Sequence, residues 1–287
     1  MKISIICPLY NGENFIESLH SSLMKQEGVH ICSIKYILTD SGDNSEEILK
    51  KLGCNYKKIL KSQFSHSKTR EDAAFDAEGD ILVFITQDVV IKDKMWLYNL
   101  TKPIAVGESE AAFSRQICDN NTIEKYIREK NYPKQSRIVT KDSIKSLGFM
   151  TFFFSDASSA IRKDVFIELN GYDQKILNTN EDMYIAYKLI QNGYRIKYCA
   201  ESEVIHSHRF TLKELYKRYY ETGIFLQENN YLLNYKSNKS GMKLLKYVLK
   251  RSFEEKNNKV ILNIIPNFAA RFLGSFFGKR SVKRRKN

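Results

Sequence analysis

The stretch Ile81-Leu82-Val83-Phe84-Ile85 constrains this chain more than any other. Five apolar residues without a polar break leave no face for solvent. Such a run reads as a short strand buried on both sides, the kind found in a parallel sheet covered by helices. It stops abruptly at Thr86-Gln87-Asp88. In open α/β sheets ligands bind beyond the carboxyl ends of the strands, so an acid there faces a cleft. A carboxylate at that edge can hold a hard divalent cation, which in turn grips a diphosphate. An aspartate after a strand also caps turns, and this segment alone does not choose between the two.

The preceding residues repeat the pattern. Lys2 to Leu9 is a buried-strand signal closed by Pro8 and followed by Tyr10-Asn11-Gly12. Residues 14–25 carry apolar side chains at helical spacing (Phe15, Ile16, Leu19, Leu23). A strand over 34–38 ends in Thr39-Asp40-Ser41-Gly42-Asp43. A helix over 46–52, a short strand over 56–60 and an Ala-rich helix over 70–78 follow. This β-α-β-α rhythm predicts an α/β fold, a Rossmann-like, mostly parallel sheet flanked by helices with right-handed crossovers. Three polar strand ends would then lie side by side, forming a nucleotide-sized site. No G-x-G-x-x-G or Walker loop is present, which leaves a dinucleotide or ATP cradle unsupported.

Later segments add candidates. Pro103, Gly107 and the polar stretch 119–145 predict loops and a helix reaching over the cleft. The run Phe149 to Phe154 predicts a strand leading to Ser155-Asp156. Asn180-Glu181-Asp182 opens a helix that ends at Asn192-Gly193. Those acids cap the helix and complement its dipole, or one of them serves as a base that the helix terminus keeps ionised. Residues 194–198 and 203–205 are strand-like and lead into His206-Ser207-His208-Arg209. Two histidines at spacing two on extended chain point the same way, as metal ligands or diphosphate donors do.

The motifs ICPLYNGENFIESLHSSL, TDSGDNSEE and FITQDVV together resemble the family-2 glycosyltransferases of the GT-A fold, over residues 2 to about 225. The segment Phe64-Ser65-His66-Ser67-Lys68-Thr69-Arg70 and the T-Q-D form are similar to bacterial rhamnosyltransferases that use dTDP-L-rhamnose. The resemblance implies that Pro8, Tyr10, Asn11, Asp40, His66, Arg70, Gln87 and Asp88 bind the nucleotide sugar. It implies Asp182 as catalytic base, Asp156 and Glu181 on the acceptor side, and Asp88 with His206 or His208 on a Mn²⁺ or Mg²⁺ ion. Gln87 stands where the family's D-x-D motif has its first aspartate, which leaves Asp88 as the single acid of that motif.

Charge divides the chain. Of 46 basic and 33 acidic residues, positions 212–287 hold 18 and 5, so positions 1–211 balance at 28 each and the whole +13 falls in the last quarter. This predicts a 1–211 nucleotide-sugar transferase domain and a 212–287 basic, amphipathic helical region that associates with membranes. Residues 260–277 are apolar but broken by Asn263, Pro266, Asn267 and Arg271, short of the roughly 20 uninterrupted apolar residues of a clean span. An apolar helix followed by a polybasic tail is a two-part signal for an anionic leaflet. Five cysteines without a C-x-x-C pair read as reduced thiols. The N-terminus enters a strand directly, without a secretory signal pattern.

The expected function is transfer of a sugar, L-rhamnose by resemblance, from dTDP-β-L-rhamnose to a lipid-linked saccharide. The expected place is peripheral, on the cytoplasmic face of a bacterial membrane, in cell-surface polysaccharide synthesis. A UDP-sugar donor, a non-catalytic membrane scaffold and a nucleic-acid-binding protein are the alternatives. The last lacks any stacking platform or recognition helix, so no nucleic acid is expected as partner; a homo-oligomer stays open.

Overall fold

Ile81–Ile85 is a strand buried at all five positions, as its unbroken apolarity requires. Each such side chain contributes about 1.5–3 kcal/mol relative to exposure. The computed structural model in which it sits describes residues 1–235 and 238–286. The chain opens with β1 (Lys2–Leu9), α1 (Ile16–Met24), β2 (His30–Thr39), α2 (Ser45–Lys51), β3 (Tyr56–Ile59), α3 (His66–Phe75) and β4 (Ile81–Ile85). Next come α4 (Trp96–Ala105), β5 (Ala111–Ile117), α5 (Ile123–Asn131), β6 (Arg137–Val139) and α6 (Ile144–Leu147). Then follow β7 (Ser158–Arg162), α7 (Lys163–Glu168), α8 (Glu181–Gln191) and β8 (Ile196–Ile205). Three helices close the chain: α9 (Leu212–Glu228), α10 (Asn238–Glu254) and α11 (Asn258–Lys286).

The chain forms two compact units. The first comprises residues 1–116, 134–142 and 151–206; the second comprises 117–133, 143–150 and 207–287. The second thus draws in α5 and α6 from mid-chain, segments that charge counting does not attach to the C-terminal region.

The first unit holds one sheet of order β3-β2-β1-β4-β7-β5-β8-β6. β3, β2, β1 and β4 are parallel, as their apolar character predicts. β7 joins antiparallel to β4 and to β5, and β6 antiparallel to β8, making the second half mixed. In register, Leu9 lies opposite Leu38, Ile6 opposite Phe84 and Ile85 opposite Ser158. Tyr10, Asp40, Thr86 and the turn before β7 therefore leave the sheet at one edge. A bridge between Val90 and Ile205, with hydrogen bonds of 2.8 and 2.9 Å, brings the end of β8 to the same edge.

Two expectations need correction. The apolar run 149–154 is not a strand; Gly148–Phe152 is a 3₁₀ segment and the strand is the following Ser158–Arg162. Phe152 and Phe154 are buried core residues, so burial rather than strand pairing accounts for the run. The Ala-rich helix begins at His66, not at residue 70, because the Ser65 hydroxyl caps it by accepting from the Lys68 amide at 3.1 Å.

In the second unit α9 and α11 pack closely, and α10 and α11 share a small apolar core with α5 through Ile123, Tyr126, Val248, Val260 and Ile264. α11 is one 29-residue helix running through Pro266. By length and composition it could cross a membrane. Asn287, the last residue of the basic tail, lies outside the described residues.

Candidate active site

A cleft of about 440 Å³ opens at the carboxyl edge of the parallel strands. Pro8, Tyr10, His66, Arg70, Gln87 and Asp88 line it, together with Phe64, which opens the FSHSKTR segment, and Lys61, which belongs to none of the motifs. Asn11 and Asp40 do not reach its lining. Asn11 takes a left-handed turn conformation (φ 51°) next to it. Asp40 is exposed and paired with Lys58 at 3.1 Å, while its neighbour Thr39 lines the cleft.

Gln87 has a structural task that an aspartate could not perform. Its side-chain nitrogen donates to the Tyr10 carbonyl at 2.8 Å, and its oxygen accepts from the Tyr10 amide at 2.9 Å. The amide clips the end of β1 to the end of β4; a carboxylate can only accept, so half of the clip would be lost. Tyr10 in turn accepts from Lys61 at 3.0 Å.

Two polar centres flank the cleft. In the first, His206 Nε2 faces Asp88 Oδ2 at 3.3 Å. Gln116 orients the ring, because its amide nitrogen donates to Ser155 at 2.7 Å, which leaves its oxygen to accept from His206 Nδ1 at 2.9 Å. A nitrogen and a carboxylate oxygen facing each other this closely are satisfied by a shared proton or by a cation between them. One imidazole and one carboxylate suit Mn²⁺, and the outer bond from Gln116 is the support that metal-binding histidines require. His208, two residues beyond, belongs to the second unit. Gln116 lies 90 positions from His206, and nothing in the sequence marks it.

The second centre surrounds Arg70, which is 2% exposed. Capping by Ser65 puts His66 and Arg70 one helical turn apart, and Arg70 Nη1 bonds the His66 carbonyl at 3.1 Å and Glu181 at 2.9 Å. Asp156, buried as well, accepts from Ser159 and from Tyr172, each at 2.7 Å. Asp156 and Glu181 thus belong to a buried network around Arg70. Burial opposes the Arg70 charge, but Glu181, Asp156, Tyr172 and Asp182 outweigh it and raise its pKa.

Asp182 departs from expectation. The helix terminus alone would keep it ionised, and its carboxyl does accept from the Met183 amide at 2.7 Å. Yet burial, then the charges of Glu181 and Asp156, push its pKa well above the ordinary carboxylate value. Asp156 is raised too, chiefly by burial. A carboxylate whose proton affinity is raised makes a better proton acceptor than an ordinary one.

Comparison with known proteins identifies the family of the chain. Residues 4–169 match the model of Glycosyl transferase family 2. The O-antigen chain rhamnosyltransferase RfbN of Salmonella typhimurium is 34% identical over 78% of this chain and 72% of its own length. WbaN of Salmonella anatum, also an O-antigen chain rhamnosyltransferase, is 35% identical over 77% of this chain and 71% of its own. Among solved structures, the mannosyltransferase PcManGT from Pyrobaculum calidifontis, in complex with GDP-Man and Mn²⁺, superposes with a TM-score of 0.61 at 12% identity. That match covers 98% of this chain and 86% of the other, and it bears on the fold alone. The chain therefore belongs to glycosyl transferase family 2 and is a glycosyltransferase with the GT-A arrangement.

Proposed function

We propose that the protein transfers L-rhamnose from dTDP-β-L-rhamnose, with inversion, to a lipid-linked saccharide on the cytoplasmic face of a bacterial membrane. The observation that carries this reading is the cleft itself. It gathers His66 and Arg70 of the FSHSKTR segment with Gln87 and Asp88 of TQD, in a chain about one-third identical to two O-antigen rhamnosyltransferases.

In this mechanism Pro8, Tyr10 and the Gln87 clip form the wall against which the nucleotide lies, with Asp40 and Asn11 at its rim. Lys61 and His66 face the diphosphate, and Arg70, held by Glu181, fixes the floor. Asp88 and His206 would hold a divalent cation, whose chemistry is to neutralise charge on the departing diphosphate. Asp182 takes the proton of the acceptor hydroxyl as that oxygen attacks the anomeric carbon opposite the leaving dTDP. A β-linked donor then gives an α-L-rhamnoside. Asp156 and Glu181 hold Arg70 and set the proton affinity of Asp182.

The test is a panel of nucleotide sugars with Mn²⁺, following nucleotide release and transfer to a lipid-linked saccharide. Release of dTDP from dTDP-rhamnose supports the reading. Turnover of UDP-sugars alone overturns the donor, and full activity of Asp182→Asn overturns the base.

A further inference from the structure

α11 has two dissimilar faces, and only one of them is used inside the protein. Val260, Ile264, Asn267, Arg271, Gly274, Gly278 and Val282, spaced at three and four residues, are buried. At Gly274 and Gly278 the helix meets α9 backbone to backbone. A Cβ on either glycine would strike the carbonyls of Tyr216 and Tyr220, and one on Gly223 would strike that of Ser275. Below this seam Arg271 is buried and donates to Asn267, to Tyr219 and to Glu124, so the inward face carries a closed polar network as well.

The opposite face is apolar and uncovered. Leu262 is 79% exposed, Ile265 81% and Phe272 69%, and Leu273, Phe276 and Phe277 are exposed beside them. Their spacing, with Leu262, Ile265, Phe272 and Phe276 at i, i+3, i+10 and i+14, places them on one side of the helix. A row of this kind is larger than the scattered apolar residues of an ordinary surface. The helix contains no acidic residue. Lys259 stands exposed at one end of the row, and Arg280, Lys283 and Arg284 at the other.

We propose that this face lies in the plane of an anionic phospholipid surface, with the phenylalanines in the acyl boundary and the terminal cations among the headgroups. The inference rests on the reading that the acceptor is membrane-borne and specifies how the enzyme meets that membrane. Cations flanking an apolar row complement anionic lipid rather than a second copy of this cationic helix, which would repel it. The same geometry excludes a spanning helix. Crossing the bilayer would pull Arg271 away from Glu124 and dissolve the seam with α9.

The experiment is flotation of the full chain with phosphatidylglycerol-containing and with pure phosphatidylcholine vesicles, followed by alkaline carbonate extraction. The wild type is expected to float with anionic vesicles and to be released by carbonate. Phe272→Ser/Phe276→Ser should partition about a hundredfold more weakly. Arg280→Glu/Arg284→Glu should lose the preference for anionic lipid. Thermal melts of both variants, matched to the wild type, exclude misfolding, since all four side chains point away from the seam. Undiminished flotation of the phenylalanine variant, resistance to carbonate, or a lipid-free dimer that this variant dissolves would each overturn the proposal. Transfer to a soluble acceptor fragment should be the same in all three proteins. Its absence in the wild type would sink the functional reading while leaving the flotation result standing.

Discussion

Asp88 and Asp182 are both aspartates at the end of a secondary-structure element, and their surroundings are opposite. Asp88 is partly open to the cleft and faces the His206 imidazole, held in place by a neutral amide. Asp182 sits beside two further carboxyl groups, with one buried guanidinium to serve all three. The first arrangement suits a carboxylate that holds a positive partner. The second raises the proton affinity, as a base requires. Residue type is the same at both; the neighbours decide the chemistry.

Replacing Asp182 should have the largest effect. Asp182→Asn is expected to lower the transfer rate by about 10²–10⁴, with nucleotide binding retained. A carboxyl whose pKa is raised by folding favours the folded state below its unfolded value, and that advantage is lost as pH rises toward the folded value. Asp182→Asn should therefore raise the melting temperature at neutral pH, with the gain fading as pH falls toward 4. Wild-type activity should likewise have an acidic limb above the ordinary aspartate range. A variant less stable than wild type at neutral pH would break the contrast with Asp88.

Arg70→Ala comes next. It leaves buried carboxylates without their cation and should cost about 3–5 kcal/mol in denaturant unfolding. A loss below about 1 kcal/mol would mean that the network is solvated. Gln116→Leu should weaken Mn²⁺ binding about 10–100-fold in calorimetry and, by stranding Ser155 and the buried His206, cost about 1–3 kcal/mol of stability, sharpening the picture of the first centre as a supported ligand pair. Wild-type affinity in that variant would remove Gln116 from its role. The smallest effect is expected of Gln87→Glu, which keeps the acceptor of the Tyr10 clip and loses the donor. At this exposed position about 1 kcal/mol is expected, with a raised KM for the donor as the readout.

Much of the first unit was legible because burial imposes local patterns. Lys2–Leu9 and Ile81–Ile85 are strands at the residues their apolar runs indicate. Pro8, Tyr10, His66, Arg70, Gln87 and Asp88 meet in one cleft because parallel strands end together. α3 starts ahead of its alanine-rich stretch because one serine hydroxyl outweighs an alanine-rich average. The phenylalanine run imitates a strand because a buried 3₁₀ segment is as apolar as one.

The sequence by itself determined the parallel strands of the first half, the cleft at their carboxyl edge and the concentration of positive charge in the last quarter. All three follow from periodicity and composition along the chain. Tertiary structure alone decided the chemistry of the charged groups. Gln116 reaches His206 across 90 positions, Glu181 reaches Arg70 across 111, and Arg271 reaches Glu124 across 147. Electrostatic energy depends on distance through space and on removal from water, and neither quantity is written in the order of residues.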